Sequence, residues 1–170
     1  MLSMKRLLTL LTFLALLLNA VSAIGQDLTA SQLLASTDCK DSVCFAQFIT
    51  KKGFSPYKIK RHGVAGNVEY WYSFSNDTKF ATDDHENITS PNSSWIAFVS
   101  NETTVNLETS NKNYYETLLE QFRKIGFRPS DSKHGALLYC PTYPELELWT
   151  LEPRGGGKNY TIIVQLLTYH

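Results

Sequence analysis

The chain has 170 residues, and its 16 Lys and Arg equal its 16 Asp and Glu. That balance argues against nucleic acid as a partner, because binding a phosphate backbone needs a basic surface. Past residue 25, no stretch is long and apolar enough to span a membrane as a helix.

Residues 1–25 read as a signal peptide. Lys5 and Arg6 form a positive start, and Leu7 to Leu18 is an apolar run broken only by Thr9 and Thr12. The small residues Ala20, Ser22, Ala23 and Gly25 follow, which is the order of a secretory leader and its cleavage site. The run is shorter than the roughly 20 apolar residues that cross a bilayer. Cleavage after Ala23 or Gly25 is expected, leaving about 145 residues in one domain with a net charge of about −2. The expected location is secreted or periplasmic, with no membrane attachment after cleavage.

Export permits disulfides. Of the three cysteines, Cys39 and Cys44 flank a helix start and Cys140 is distant. A straight helix holds positions i and i+5 too far apart for a bridge, so Cys39 to Cys44 requires Cys39 in the non-helical lead-in. That bridge is the first candidate, and either cysteine with Cys140 is the alternative. No Cys-x-x-Cys pair and no His in a recognised relation to a Cys points to a catalytic thiol.

Residues 26–38 are a lead-in with a short helix around Ser31 to Ala35. The rest, 39–170, forms a single domain in which two segments match. Residues 48–56 align with 121–129 through Lys51/Lys124, Gly53/Gly126, Phe54/Phe127 and Pro56/Pro129. The pattern is a helix stop: glycine takes the left-handed conformation, Phe folds back, and Pro prevents continuation. Upstream of each stop lies a helical stripe, Phe45, Phe48 and Ile49 in the first copy and Tyr115, Leu118, Leu119, Phe122 and Ile125 in the second. Asn113 with Glu116 is the expected capping pair of the second helix.

Strand patterns follow each stop. Val68 to Phe74 alternates, then come Trp95 to Val99 and Val105 to Thr109; the second copy offers Ala136 to Cys140, Leu146 to Leu151 and Tyr160 to Thr168. Residues 101–104 and 154–158 read as hairpin connections. The expected fold is α+β. A tandem α-β-β-β repeat, about 39–110 and 111–170, forms one curved antiparallel sheet of about six strands with two helices on one face. This layout resembles that of β-lactamase-inhibitory proteins and of the TATA-binding fold in architecture alone, which implies no function.

Few motifs suggest chemistry. Asp83, Asp84, His85 and Glu86 form the densest set of metal-type ligands, but consecutive side chains diverge, and a solvated polar loop is expected. His62, His134 and His170 are scattered, and no Gly-x-Ser-x-Gly elbow occurs. Lys58 to His62 is a short basic run, read as a solvated turn that could meet an acidic surface. Gly155 to Gly157 reads as a flexible hairpin tip rather than a phosphate cradle. Asn76, Asn87, Asn92, Asn101 and Asn159 begin Asn-x-Ser/Thr sequons, which carry glycans only in a eukaryotic secretory pathway. No cofactor, metal site or catalytic residue is expected.

Period-two alternation leaves rings on the sheet face away from the helices. Tyr70, Leu138 and Leu148 point to the helices, whereas Trp71, Tyr139 and Trp149 point away. Uncovered apolar surface on this scale marks an interaction site. The expected function is non-catalytic binding of a protein partner, or of a second copy as a homodimer, with Trp71, Tyr139 and Trp149 as anchors. The alternatives are a carbohydrate-binding module using the same rings and a small hydrolase using carboxylates. A homodimer partner, residues 26–38 or the polar insertion 77–94 could instead cover the face.

Overall fold

A computed structural model of the chain describes residues 28–61, 67–75, 80–100, 103–130, 137–153 and 159–167. The leader 1–25, the glycine-rich tip 154–158, His62, His134, His170, Asn76 and Asn101 lie outside the described residues.

Among the described residues, three helices, α1 (Ala30–Ser36), α2 (Ser42–Thr50) and α3 (Lys112–Ile125), accompany eight strands. In chain order the strands are β1 (Ser55–Arg61), β2 (Val68–Ser75), β3 (Ser93–Val99), β4 (Thr104–Thr109), β5 (Arg128–Pro129), β6 (Leu137–Tyr139), β7 (Leu146–Leu151) and β8 (Tyr160–Leu166). They form one antiparallel sheet in the order β1-β2-β3-β4-β8-β7-β6-β5. The α+β class with a single antiparallel sheet therefore holds, with eight strands in place of about six. The two extra strands are the edges. β1 contains Pro56, Lys58, Lys60 and Arg61, and β5 is Arg128 and Pro129. Lysine and proline are what edge strands carry to discourage further pairing; they made Lys58 to His62 read as a turn and Pro129 as the end of a helix stop.

Both helix stops form as the glycines require. Gly126, at φ 116°, donates from its N–H to Arg123 O at 3.1 Å, and Phe127 N–H reaches Phe122 O at 3.0 Å. Gly53, at φ 86°, donates to Thr50 O at 3.0 Å, and Phe54 N–H to Ile49 O at 3.4 Å. Each is a Schellman turn, with the following Phe buried against the helix. The N-terminus of α3 differs from expectation. Asn111, not Asn113, is the cap and accepts from Tyr114 N–H, because Asn113 already lies inside the first turn.

The helices cover one face of the sheet, here the front. Leu33, Phe45, Ile49, Leu118 and Phe122 pack with Tyr72, Phe98, Leu107, Leu148 and Val164 in one core. The lead-in is part of it: α1 is tied to α3 by Tyr114 Oη donating to Leu28 O at 3.0 Å and by Ala30 N–H donating to Gln121 Oε1 at 2.8 Å. Burying an apolar side chain of this size stabilises by about 1.5–3 kcal/mol each, so α1 contributes materially.

Candidate functional site

Alternation sends the other residues of each strand to the back of the sheet, and the two halves of that back face differ. Over β1–β3 the chain covers itself. Trp71 and Trp95 stack with ring centroids 4.0 Å apart, and Ile88 and Phe80 from segment 80–90 pack on them with Ala97. Trp71 thus lies on the expected face but is only 6% exposed. All seven residues of β3 are buried, since helices cover one side and segment 80–90 the other.

Segment 80–90 is fastened by its own polar residues. Asp83 Oδ1 accepts from the backbone N–H groups of His85 and Asn87, and the Asn87 amide also reaches the Asp83 carboxylate. These bonds hold the Asp83 carboxyl below its ordinary range, the Asn87 side chain being the main cause. Glu86 turns back to β1, where Lys58 and Lys60 both donate to its carboxylate. Tyr57 meets Phe80 edge to face at 5.0 Å and shares a hydrogen bond with Thr82 Oγ1 at 3.0 Å. Asp83 and Glu86 therefore serve the loop, and the basic run of β1 is the strand that receives it.

At the centre of the back face stands Glu108 on β4. Its register partners are Trp95 on β3 and Thr161 on β8. Burial pushes its carboxyl up to about 7, although the Asn159 amide donates to it at 2.5 Å and opposes the shift, and the charge of Glu86 adds to it. Nearby, the buried atoms Trp95 Nε1, Asn106 Oδ1 and Asn159 Oδ1 have no hydrogen-bond partner. The carboxyl sits among weakly solvated groups, where charge is costly. Asn92 is exposed in a turn at φ 49°.

Over β6–β8 the back face is different. Tyr139 is 47% and Leu151 37% exposed, with Trp149 and Ile163 half-buried between them. Trp149 faces Ile163 across the β7–β8 ladder, and its indole N–H donates to Glu147 Oε2 at 3.4 Å. So Tyr139 and Trp149 lie together at one end of the back face, and Trp71 lies covered at the other. Alternation could find all three, but it could not place the cover.

The cysteines separate into two roles. Cys39 and Cys44 form the disulfide, with Cα atoms 5.4 Å apart and Cys39 ahead of α2 as the bridge requires. Cys140 is a free thiol buried behind the Gly126 turn. Buried structural thiols are inert, so Cys140 is packing. Among the described residues no three His, Cys, Asp or Glu side chains converge to hold a metal ion.

No protein-family model, curated protein sequence or solved structure matches the chain. Any functional reading therefore rests on the geometry.

Proposed function

We propose that the protein is an exported, non-catalytic binding domain. It recognises a protein partner, another molecule or a second copy, through the back face of β6–β8, with Tyr139 and Trp149 as anchors. The observation that carries this reading is the asymmetry of the back face. The chain spends segment 80–90 on covering Trp71 and Trp95, yet Tyr139 and Leu151 stay exposed beside Trp149. Trp149 is half-buried beside Ile163, so part of its side-chain freedom is already lost before contact. Rings interleaved with Ile163 and Leu151 suit a protein surface better than a sugar, which prefers a flat row of rings. We also infer that 39–110 and 111–170 are two copies of one unit. The identical helix stops and a strand order symmetrical about the β4–β8 pair support this.

A photo-crosslinking residue at position 139, with one at exposed Val43 as control, tests the proposal in the secreting cell. The expected result is a discrete adduct from position 139 only. Identical adducts from both positions, or none from 139, would overturn it.

A further inference from the structure

The open end of the back face carries a charge pattern that is its own complement. Register partners on neighbouring strands share a face of the sheet. Arg128 on β5 is the register partner of Tyr139 on β6, and Phe127 before it lies in the core, so Arg128 points to the back, where it is exposed. Leu138 pairs with Leu148 on β7, and one step along that ladder sets Tyr139 beside Glu147. Arg128, Tyr139 and Glu147 therefore form a row across the adjacent strands β5, β6 and β7. A cation and an anion stand about 4.8 Å to either side of the exposed ring. Among the described residues Arg128 makes no ion pair.

Such a row fits a copy of itself in one way. When two like sheets pack in alignment, the two-fold axis between them runs across the strands or along them. An axis across the strands sets Arg128 on the second copy's Arg128 and Glu147 on its Glu147, which like charges oppose. An axis along β6 at Tyr139 reverses the row. Arg128 then falls on the second copy's Glu147, Glu147 falls on its Arg128, and the two Tyr139 rings meet. Trp149, two residues from Glu147 on β7 and on the same face, is carried over β5 of the second copy and covered in the same step. Pairing edge to edge has little to work with, because β5 is 2 residues long and includes Pro129.

We propose that the occupant of the β6–β8 surface is a second copy of this chain. It docks face to face about a two-fold axis along β6, with Arg128 and Glu147 paired between the copies on both sides of Tyr139. The proposal rests on the β6–β8 surface being a binding face and names its partner. The rings supply the contact area, and the two ion pairs fix which of the two alignments forms.

Sedimentation equilibrium of the exported, disulfide-bonded protein from about 1 μM to about 1 mM tests it. A monomer–dimer equilibrium within that range is expected. Arg128→Glu and Glu147→Arg are each expected to weaken it at least about tenfold, because either reversal opposes like charges at both ends of the row. Mixing the two variants is expected to restore a dimer with one copy of each, since glutamates then face arginines at both positions. The exchange variant Arg128→Glu/Glu147→Arg is expected to dimerise as the parent does, and it carries the test if a single variant fails to fold by thermal melting. A parent that stays monomeric to about 1 mM overturns the proposal. So does a mixture of folded variants, or a folded exchange variant, that stays monomeric while the parent dimerises. A crosslinker at position 139 separates this failure from failure of the surface itself. An adduct of two copies is expected. An adduct with a different protein overturns self-association but keeps the β6–β8 surface, and no adduct overturns both.

Discussion

Replacing Glu108 by Gln removes a titrating group while keeping its shape and its acceptor for the Asn159 amide. Moving an acid from 4.5 to about 7 corresponds to about 3 kcal/mol at 1.36 kcal/mol per pH unit. Glu108 is only half-buried, and solvent screening reduces this to about 1–2 kcal/mol. The sign follows from proton binding. The folded state holds the proton more tightly than the unfolded chain, so this contribution is fully present below pH 4.5 and is lost as pH rises through about 7. Urea unfolding of parent and variant at pH 4.5, 6 and 8 measures it. The parent is expected to lose about 1–2 kcal/mol more than Glu108→Gln over that interval, and the variant to be the more stable at pH 8. Curves that stay parallel within about 0.3 kcal/mol would refute the reasoning, because Glu108 would then titrate alike in both states.

Gly126→Ala places a Cβ 3.4 Å from Cys140 Sγ at a φ of 116°, and a loss of about 1–2 kcal/mol is expected in urea unfolding. Reducing the Cys39–Cys44 bridge opens a loop of sequence separation 5, and chain entropy puts the loss near 2 kcal/mol, measurable as a lower melting temperature in dithiothreitol.

Strand alternation was the legible part of the sequence. In β2, Tyr70, Tyr72 and Phe74 alternate with Trp71, and the register places them on opposite faces as the period requires. The two glycine stops were equally plain, because few residues other than glycine tolerate the left-handed turn they make. β1 was hidden because Lys58, Lys60 and Arg61 look like a solvated turn until Glu86 and Trp71 are known to lie beside them. Spacing of two between the lysines was the available signal; the partner 26 residues from Lys60 left none. Glu108 was invisible for the same reason. Alternation in β4 sends it away from Leu107, but its burial depends on Trp95 and Asn159, which only the sheet order brings near.

Two of the back-face tryptophans, Trp71 and Trp149, give the most direct measurement. Trp71→Ala and Trp149→Ser are compared for urea stability and for affinity to whatever the Tyr139 crosslinker captures. Trp71 is covered, so its truncation is expected to cost about 3–5 kcal/mol. Trp149→Ser is expected to melt within a few degrees of the parent and to bind its partner at least tenfold more weakly, about 1.4 kcal/mol. If Trp149→Ser instead unfolds the protein as Trp71→Ala does, or leaves binding unchanged, Trp149 is not an anchor and the β6–β8 surface is not the binding face.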